Sequence, residues 1–227
     1  MKTIIGVIML LLMTSWSYAN DIYVTQSGAS LDLDITQDGE NNTVGNSTTA
    51  STSTGATTIL NIDQIGDSNV ITYQINGATY TGVINLVGSS NNVDLNCDST
   101  GGNSSCGSAN AVINFTGSSN DIDLDIGQTS SASSADVDIV GQTGSDSNVV
   151  AATIDGNSAV LTITINGDTN NYLIDIDGNG DVNGHTLIHS HTGGIADVDI
   201  VQSGTNDNMI TLTTSGDNAD IDISQTD

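Results

Sequence analysis

A short acidic and glycine-rich segment, DIDGNGDVNG at residues 175–184, contains residue types that bind calcium. Its Asp175, Asp177, Asn179 and Asp181 have the spacing of the first half of a calcium-binding loop, whose ligands are carboxylate and amide oxygens. The twelfth position of such a loop is Thr186, where a bidentate Glu belongs, and no helical pattern flanks the segment. We therefore favour a polar corner between strands and assign no metal site, with calcium the one cofactor to consider.

Three histidines follow in HTLIHSH, and this spacing could hold zinc or copper. His189 and His191 share one face if the segment is a strand, whereas His185 is expected in or near a turn. We expect surface histidines here rather than metal ligands.

The two cysteines, Cys97 and Cys106, lie nine residues apart around DSTGGNSS. In an exported chain such a pair predicts a disulfide that closes an insertion loop, with free thiols as the alternative. The chain has no nucleophile-elbow motif, and its carboxylates are too numerous for any one pair to be informative. We expect no enzymatic activity.

A secretory signal peptide is predicted at residues 1–19 from basic Lys2, an apolar run over 4–13 and small residues at Ser17 and Ala19. Cleavage after Ala19 leaves residues 20–227 as a single secreted domain. No later stretch is apolar enough to insert into a membrane.

The exported 208 residues (227 − 19) contain all 27 acidic residues and no Lys or Arg. Such a surface repels nucleic acid and anionic lipid. Outward carboxylates that stack at ~5 Å repel by roughly 0.8 kcal/mol per pair in water. Without basic side chains, we expect only salt, divalent cations or protonation to relieve this repulsion. The carboxylates concerned are Asp32, Asp34, Asp121, Asp123, Asp136, Asp138, Asp197, Asp199, Asp220 and Asp222.

Apolar and acidic residues alternate in segments such as LDLDI (31–35) and DIDLDI (121–126), which is typical of strands with one buried and one wet face. There is no proline and no helical period, so the sequence predicts an all-β fold.

A repeat of about eleven residues organises these strands. Each unit has a Gln or apolar residue, a turn glycine two residues later, an Asn or small residue at the fifth position, and apolar residues at the seventh and ninth. The predicted turn glycines are Gly28, Gly39, Gly66, Gly77, Gly88, Gly117, Gly144, Gly167 and Gly204. The predicted amide ladder consists of Gln26, Gln37, Asn42, Gln64, Asn69, Asn91, Asn120, Asn148, Asn170, Gln202 and Asn208.

Sixteen such arms predict a β-solenoid of about eight two-strand coils, with like residues stacked from coil to coil. Asn alternates with other residues at the fifth position as far as Asn170. The row then continues as Asn183, Ala196, Asn208 and Ala219, so its phase slips near DGNGDVNG.

This pattern resembles the curlin repeat of curli fibres, written Ser-x5-Gln-x-Gly-x2-Asn-x5-Gln. TILNIDQIGDSN (58–69) matches most of one repeat with Thr58 in the place of Ser, and QSGASLDLDITQDGENN (26–42) supplies Gln26, Gly28, Gln37, Gly39 and Asn42. The resemblance implies a secreted, amyloid-forming β-solenoid that self-associates into extracellular fibres for adhesion and biofilm formation. It also implies an outer-membrane export machinery as a partner.

Two functions from different classes remain open. We favour the fibre subunit, because neither IYVTQSG nor IDISQTD reads as a cap and both end edges could pair with another copy. The alternative is a monomeric secreted β-solenoid that binds calcium or a surface ligand, in the manner of an adhesin.

Overall fold

The computed structural model describes residues 21–39, 41–45, 48–66, 68–97, 106–127, 134–156, 158–177, 184–204 and 208–226. The predicted signal peptide lies outside these ranges, as do Asn179, Asp181 and Asn183. The described residues form strands and no helix, so no helix among them could cross a membrane.

Seventeen strands follow one another along the chain. They are β1 (Asp21–Ile22), β2 (Thr25–Ser27), β3 (Ser30–Asp38), β4 (Thr43–Val44), β5 (Ser51–Ile65), β6 (Val70–Val87), β7 (Asn92–Cys97), β8 (Ser108–Thr116), β9 (Asp121–Ile126), β10 (Ser134–Gly141), β11 (Val149–Asp155), β12 (Ala159–Asn166), β13 (Asn170–Asp177), β14 (Thr186–Thr192), β15 (Ala196–Ser203), β16 (Met209–Ser215) and β17 (Ala219–Thr226).

The strands stack in two rows, and every pairing is parallel. We call one pass of the chain along a row an arm. Row A has nine arms: 21–27, 43–44 together with 51–54, 70–76, 92–97, 121–126, 149–155, 170–177, 196–203 and 219–226. Row B has eight: 30–38, 57–65, 79–87, 108–116, 134–141, 159–166, 186–192 and 209–215.

The chain alternates between the rows, which makes the predicted β-solenoid. Seven turns separate the eight arms of row B, so the solenoid has about seven turns, close to the eight predicted. In β5 and β6 the strand continues from row A into row B without a break.

The core lies between the two rows and is built from the alternate residues of each strand. In β8, for example, Ala111, Ile113 and Phe115 are buried while the residues between them are only partly covered. Burying an Ile or Phe side chain contributes about 1.5–3 kcal/mol. Because most arms have a largely apolar face and a largely polar one, the sequence favours one register, with the apolar face inward.

Two glycines in row B leave room for large side chains in this core. A Cβ at Gly141 would lie 2.8 Å from the ring of Phe115, and one at Gly82 would collide with Tyr80. The sequence repeat places neither glycine at a turn position, but it does not reveal their role, because that depends on the neighbouring coil.

The corner glycines are close to their counterparts in adjacent coils. Gly88 has a φ of 156°, and a Cβ there would overlap the carbonyl oxygen of Gly66. Gly39, Gly66, Gly117, Gly144 and Gly204 also have positive φ. Gly28, Gly77 and Gly167 do not have a positive φ. Gly77 lies within β6, which continues through the corner as a strand. Only glycine adopts such φ values at little cost.

Candidate self-assembly site

Buried asparagines form a ladder at one corner of row A. The Nδ2 of Asn69 donates to Oδ1 of Asn91 at 2.8 Å, Asn91 donates to Asn120 at 2.8 Å, and Asn120 donates to Asn148 at 2.9 Å. The series ends with Asn148 and Asn170 at 2.8 Å. Each acceptor oxygen also receives the backbone N–H of the preceding asparagine. From Asn91 to Asn170 each buried side-chain oxygen therefore has its hydrogen bonds, as burial of an amide requires, whereas Oδ1 of Asn69, at the start of the ladder, is buried without a partner.

The same asparagines close the corner turns. Asn69 donates to the carbonyl of Gly66 at 3.0 Å, and Asn91 donates to that of Gly88 at 3.1 Å. Asn120 and Asn170 make the same bond to the glycine three residues earlier. The residue before each asparagine is left-handed, as at Ser68 (φ 65°) and Ser90 (φ 61°). The Gly-x-x-Asn spacing of the repeat thus corresponds to one hydrogen-bonded turn.

Beyond Asn170 the ladder changes row. Ala196 occupies the next position in row A, opposite Asn170. In row B, the backbone N–H of Ala159 donates to Nδ1 of His185 at 3.1 Å, and the N–H of His185 donates to Oδ1 of Asn208 at 3.1 Å. This change is the phase slip that the repeat predicts, and His185 takes the position that the sequence assigns to Asn183.

Glutamines form short ladders near the two ends of the solenoid. In row B, Gln64 donates to Gln37 at 2.6 Å, and in row A, Gln225 donates to Gln202 at 3.3 Å. Gln26, in the first arm of row A, donates to the carbonyl of Ser30 at 3.2 Å.

The end arms have interior sequence patterns but exposed side chains. Every residue of β17 is exposed, including Ile221 (37 %) and Ile223 (48 %), although their counterparts Val198 and Ile200 in β15 are buried. Within the part of the chain that the structure describes, the outer edges of β16 and β17 pair with no further strand. The same holds at the opposite end for β3 and the first arm of row A.

Outward carboxylates have partners that the sequence analysis did not foresee. Asn61 donates to Asp34 at 2.7 Å, and Asn85 donates to Asp63 at 2.6 Å. At these positions the stacked neighbour is an amide and not a carboxylate, and its hydrogen bond stabilises the carboxylate. The need of the acidic rows for ions or protons stays a prediction.

Four pairs of carboxylates do stack directly between coils. They are Asp94/Asp123, Asp155/Asp177, Asp197/Asp220 and Asp199/Asp222. Burial, and then the charge of Asp123, raises the pKa of Asp94. Burial, followed by the charges of Asp125 and Asp121, raises the pKa of Asp123. Acid therefore favours this part of the stack.

The histidines are in the core, which contradicts the expectation of surface histidines. His185, His189 and His191 are each no more than 2 % exposed. The Tyr172 hydroxyl lies 2.9 Å from Nδ1 of His191, and the Tyr172 ring meets that of His189 edge-on at 4.2 Å. Burial lowers the pKa of His189 to about 4, with a smaller contribution from His191. The alternating strand pattern places His189 and His191 inward, and this signal was available in the sequence.

The calcium-type motif is only partly within the described residues. Asp175 and Asp177 end β13, and Asp177 accepts a hydrogen bond from Ser203 at 2.8 Å. Burial, then the neighbouring Asp177, raises the pKa of Asp175. Among the described residues, no group of three or more His, Cys, Asp or Glu side chains could hold a metal ion.

Cys97 and Cys106 form a disulfide pair with a Cα–Cα distance of 5.8 Å, within the normal range. Both are fully buried at the end of β7 and before β8. The disulfide therefore joins the two sides of the insertion between these strands.

A scan against family models, a search of curated proteins and a search of solved structures each found no match for this chain.

Proposed function

We propose that this protein is a secreted structural subunit of an extracellular, curli-like amyloid fibre that acts in adhesion and biofilm formation. The observation that carries the proposal is the pair of uncovered solenoid ends, whose strands continue the interior pattern without being covered.

The uncovered end at β17 is suited to strand addition. Its inward residues Ala219, Ile221 and Ile223 repeat the pattern of the buried arm beneath them, but all are exposed. Covering the exposed half of Ile223 alone would contribute about 1 kcal/mol. The parallel backbone edge would add a ladder of hydrogen bonds along the whole arm.

The end strands also lack common protection against edge pairing. Natural sheets guard free edges with lysine, proline or bulges. Neither β16 nor β17 contains lysine or proline. Asp220 and Asp222 point outward from β17 and leave its inward face apolar. The chain thus keeps a charged outer surface while its ends favour association.

Thioflavin T fluorescence and negative-stain microscopy of the processed protein at neutral pH, with and without millimolar calcium, test the proposal. We expect unbranched fibres with rising fluorescence, and faster growth with calcium because the exposed end strand β17 carries the carboxylates Asp220 and Asp222. A protein that stays monomeric under both conditions contradicts the fibre function and favours the alternative, a monomeric ligand-binding solenoid.

A matched pair of variants locates the growing surface. Ile223→Lys places a charge where the next copy would cover it, whereas Ser224→Lys places the same charge on the outer face of the same strand. We expect Ile223→Lys to abolish assembly and to shorten wild-type fibres when added as a minor component. Ser224→Lys should assemble, and equal inhibition by both variants would contradict an interface at the inward face of β17.

A further inference from the structure

The two rows of the solenoid contain unequal numbers of arms. The described chain both begins and ends in row A, with nine arms there and eight in row B. At the β17 end, the next vacant position along the coil path is therefore in row B, above β16. A second copy added in the same orientation would bring its first arm to row A and leave a gap of one strand above β16.

We propose that successive copies join head to tail with a half-turn about the solenoid axis, β17 of one copy pairing with β3 of the next. In the same junction β16 pairs with the first arm of row A, residues 21–27. This inference rests on the proposed fibre function and specifies how its subunits meet.

The glutamine ladders support the half-turn. Gln202 and Gln225 stack in row A at one end, and Gln37 and Gln64 stack in row B at the other. With the half-turn, Gln225 lies over Gln37 of the next copy, and the two short ladders become one ladder of four glutamines. Gln225 and Gln37 then each have an amide neighbour on both sides. Without rotation, Gln225 would lie over Gln26, whose neighbour in the second arm is Ser53, and the ladder would contain only three glutamines.

The asparagine ladder gives independent support, because its change of row matches the change of row at the junction. The ladder begins in row A and reaches the other end in row B, at Asn208. A half-turn brings row A of the next copy over Asn208. Without rotation, Asn208 would instead meet Leu31, a half-buried apolar residue.

The apolar residues match in the half-turn register, as they also would without rotation, so they support the contact between the end arms rather than its orientation. Ala219, Ile221 and Ile223 of β17 would lie over Leu31, Leu33 and Ile35 of β3. In the second row, Ile210 and Leu212 of β16 would lie over Ile22 and Val24, which are half-buried. All these side chains face the core in their own coils, so the junction would continue the core.

Cysteine pairs at outward positions distinguish the two orientations. In-register neighbours on parallel strands are about 4.8 Å apart, which suits a disulfide. Asp34→Cys with Asp222→Cys should cross-link wild-type-like fibres into a series of covalent multimers under mild oxidation. Tyr23→Cys with Asp222→Cys, the pair that meets without rotation, should not. Residues 34 and 222 lie at opposite ends of one copy, so any bond between them joins two copies.

Non-reducing electrophoresis of fibres first checked by microscopy gives the result, with the three single-cysteine variants as controls. Cross-linking of the Tyr23/Asp222 pair alone, or of neither pair in fibres that form normally, overturns the half-turn and leaves the fibre function intact. Absence of fibres in the wild-type protein overturns the fibre function itself. Helical reconstruction of the fibres gives a second readout. Each copy should be rotated relative to the copy before it by a half-turn plus the twist of the solenoid. The rise per copy should be roughly 41 Å, which is 8.5 layers of ~4.8 Å.

Discussion

The backbone N–H of Ala159 donates to Nδ1 of His185 at 3.1 Å, so an imidazole takes the acceptor role that Oδ1 has in the asparagine ladder. The N–H of His185 in turn donates to Asn208, as the backbone N–H of each ladder asparagine does. The ring must be neutral at Nδ1 to accept this bond. His185 is thus the first acceptor of a second, separate series of hydrogen bonds in row B.

Replacing this histidine tests its role. His185→Asn should retain the acceptor and leave the free energy of unfolding within about 1 kcal/mol of wild type. His185→Ala should lower it by about 1–3 kcal/mol, because the N–H of Ala159 loses its acceptor in a buried site. Urea unfolding of both variants measures the difference, and an equal loss in the two would show that the acceptor is unimportant.

Acid should destabilise the region around His189. Its pKa of about 4 in the folded protein is below the ordinary 6.5, so the unfolded chain binds protons more readily. The contribution of His189 to the free energy of unfolding is complete above pH 6.5 and is lost as the pH falls towards 4. The full loss is roughly 3 kcal/mol. Tyr172, His191 and Asp168 are the neighbouring titratable groups.

The difference between wild type and His189→Leu isolates this effect. Stacked carboxylates such as Asp94 and Asp123 have raised pKa values, so their contribution is lost as the pH rises through those values. These carboxylates are present in both proteins, so their contribution cancels when the two pH profiles are subtracted. Urea unfolding between neutral pH and pH 4 should show a steeper loss in the wild type, and parallel pH profiles would refute the assignment.

The asparagine ladder should be more sensitive than the outer amides. Asn120→Ala removes a buried donor to Asn148 and leaves one side-chain N–H and the backbone N–H of Asn91 without their acceptor, so we expect a loss of about 2–4 kcal/mol. Asn114→Ala removes one partly buried bond to Asn85 and should cost about 1 kcal/mol or less. Thermal or urea unfolding compares them, and similar losses would contradict the importance of burial.

The disulfide should stabilise the folded chain by closing a short loop. Its two residues are nine apart, and the loop-entropy relation gives about 2–3 kcal/mol for a loop of that size. Cys97→Ala with Cys106→Ala should lower the free energy of unfolding by that amount while the strands remain. Reducing agent should change the wild type but leave the double variant unaffected.

The sequence was sufficient for the fold because each arm repeats one simple rule. Alternation of Asp with Ile, Leu or Val fixed the strand faces, and Gly-x-x-Asn fixed the corners, as at Gly66 and Asn69. The stacked solenoid then followed from the number of repeats. Spacing varied at the insertions, so the exact set of left-handed glycines could not be assigned residue by residue.

What the sequence could not provide were relationships between coils. The fit of Phe115 beside Gly141 and of Asn61 beside Asp34 depends on which residues stack, and insertions of unequal length hide that register. The surface position expected for the histidines is wrong for a different reason. Their polarity suggests exposure, whereas alternation along β14 places His189 and His191 inward.

The in-register stacking also determines how the chain can fold. Ladder partners such as Asn69 and Asn91, or Asn91 and Asn120, are only 22 and 29 residues apart. Each coil therefore needs only its immediate predecessor as a template, and ordering can propagate from one coil to the next. The chain can therefore organise progressively from one end, without waiting for its distant terminus.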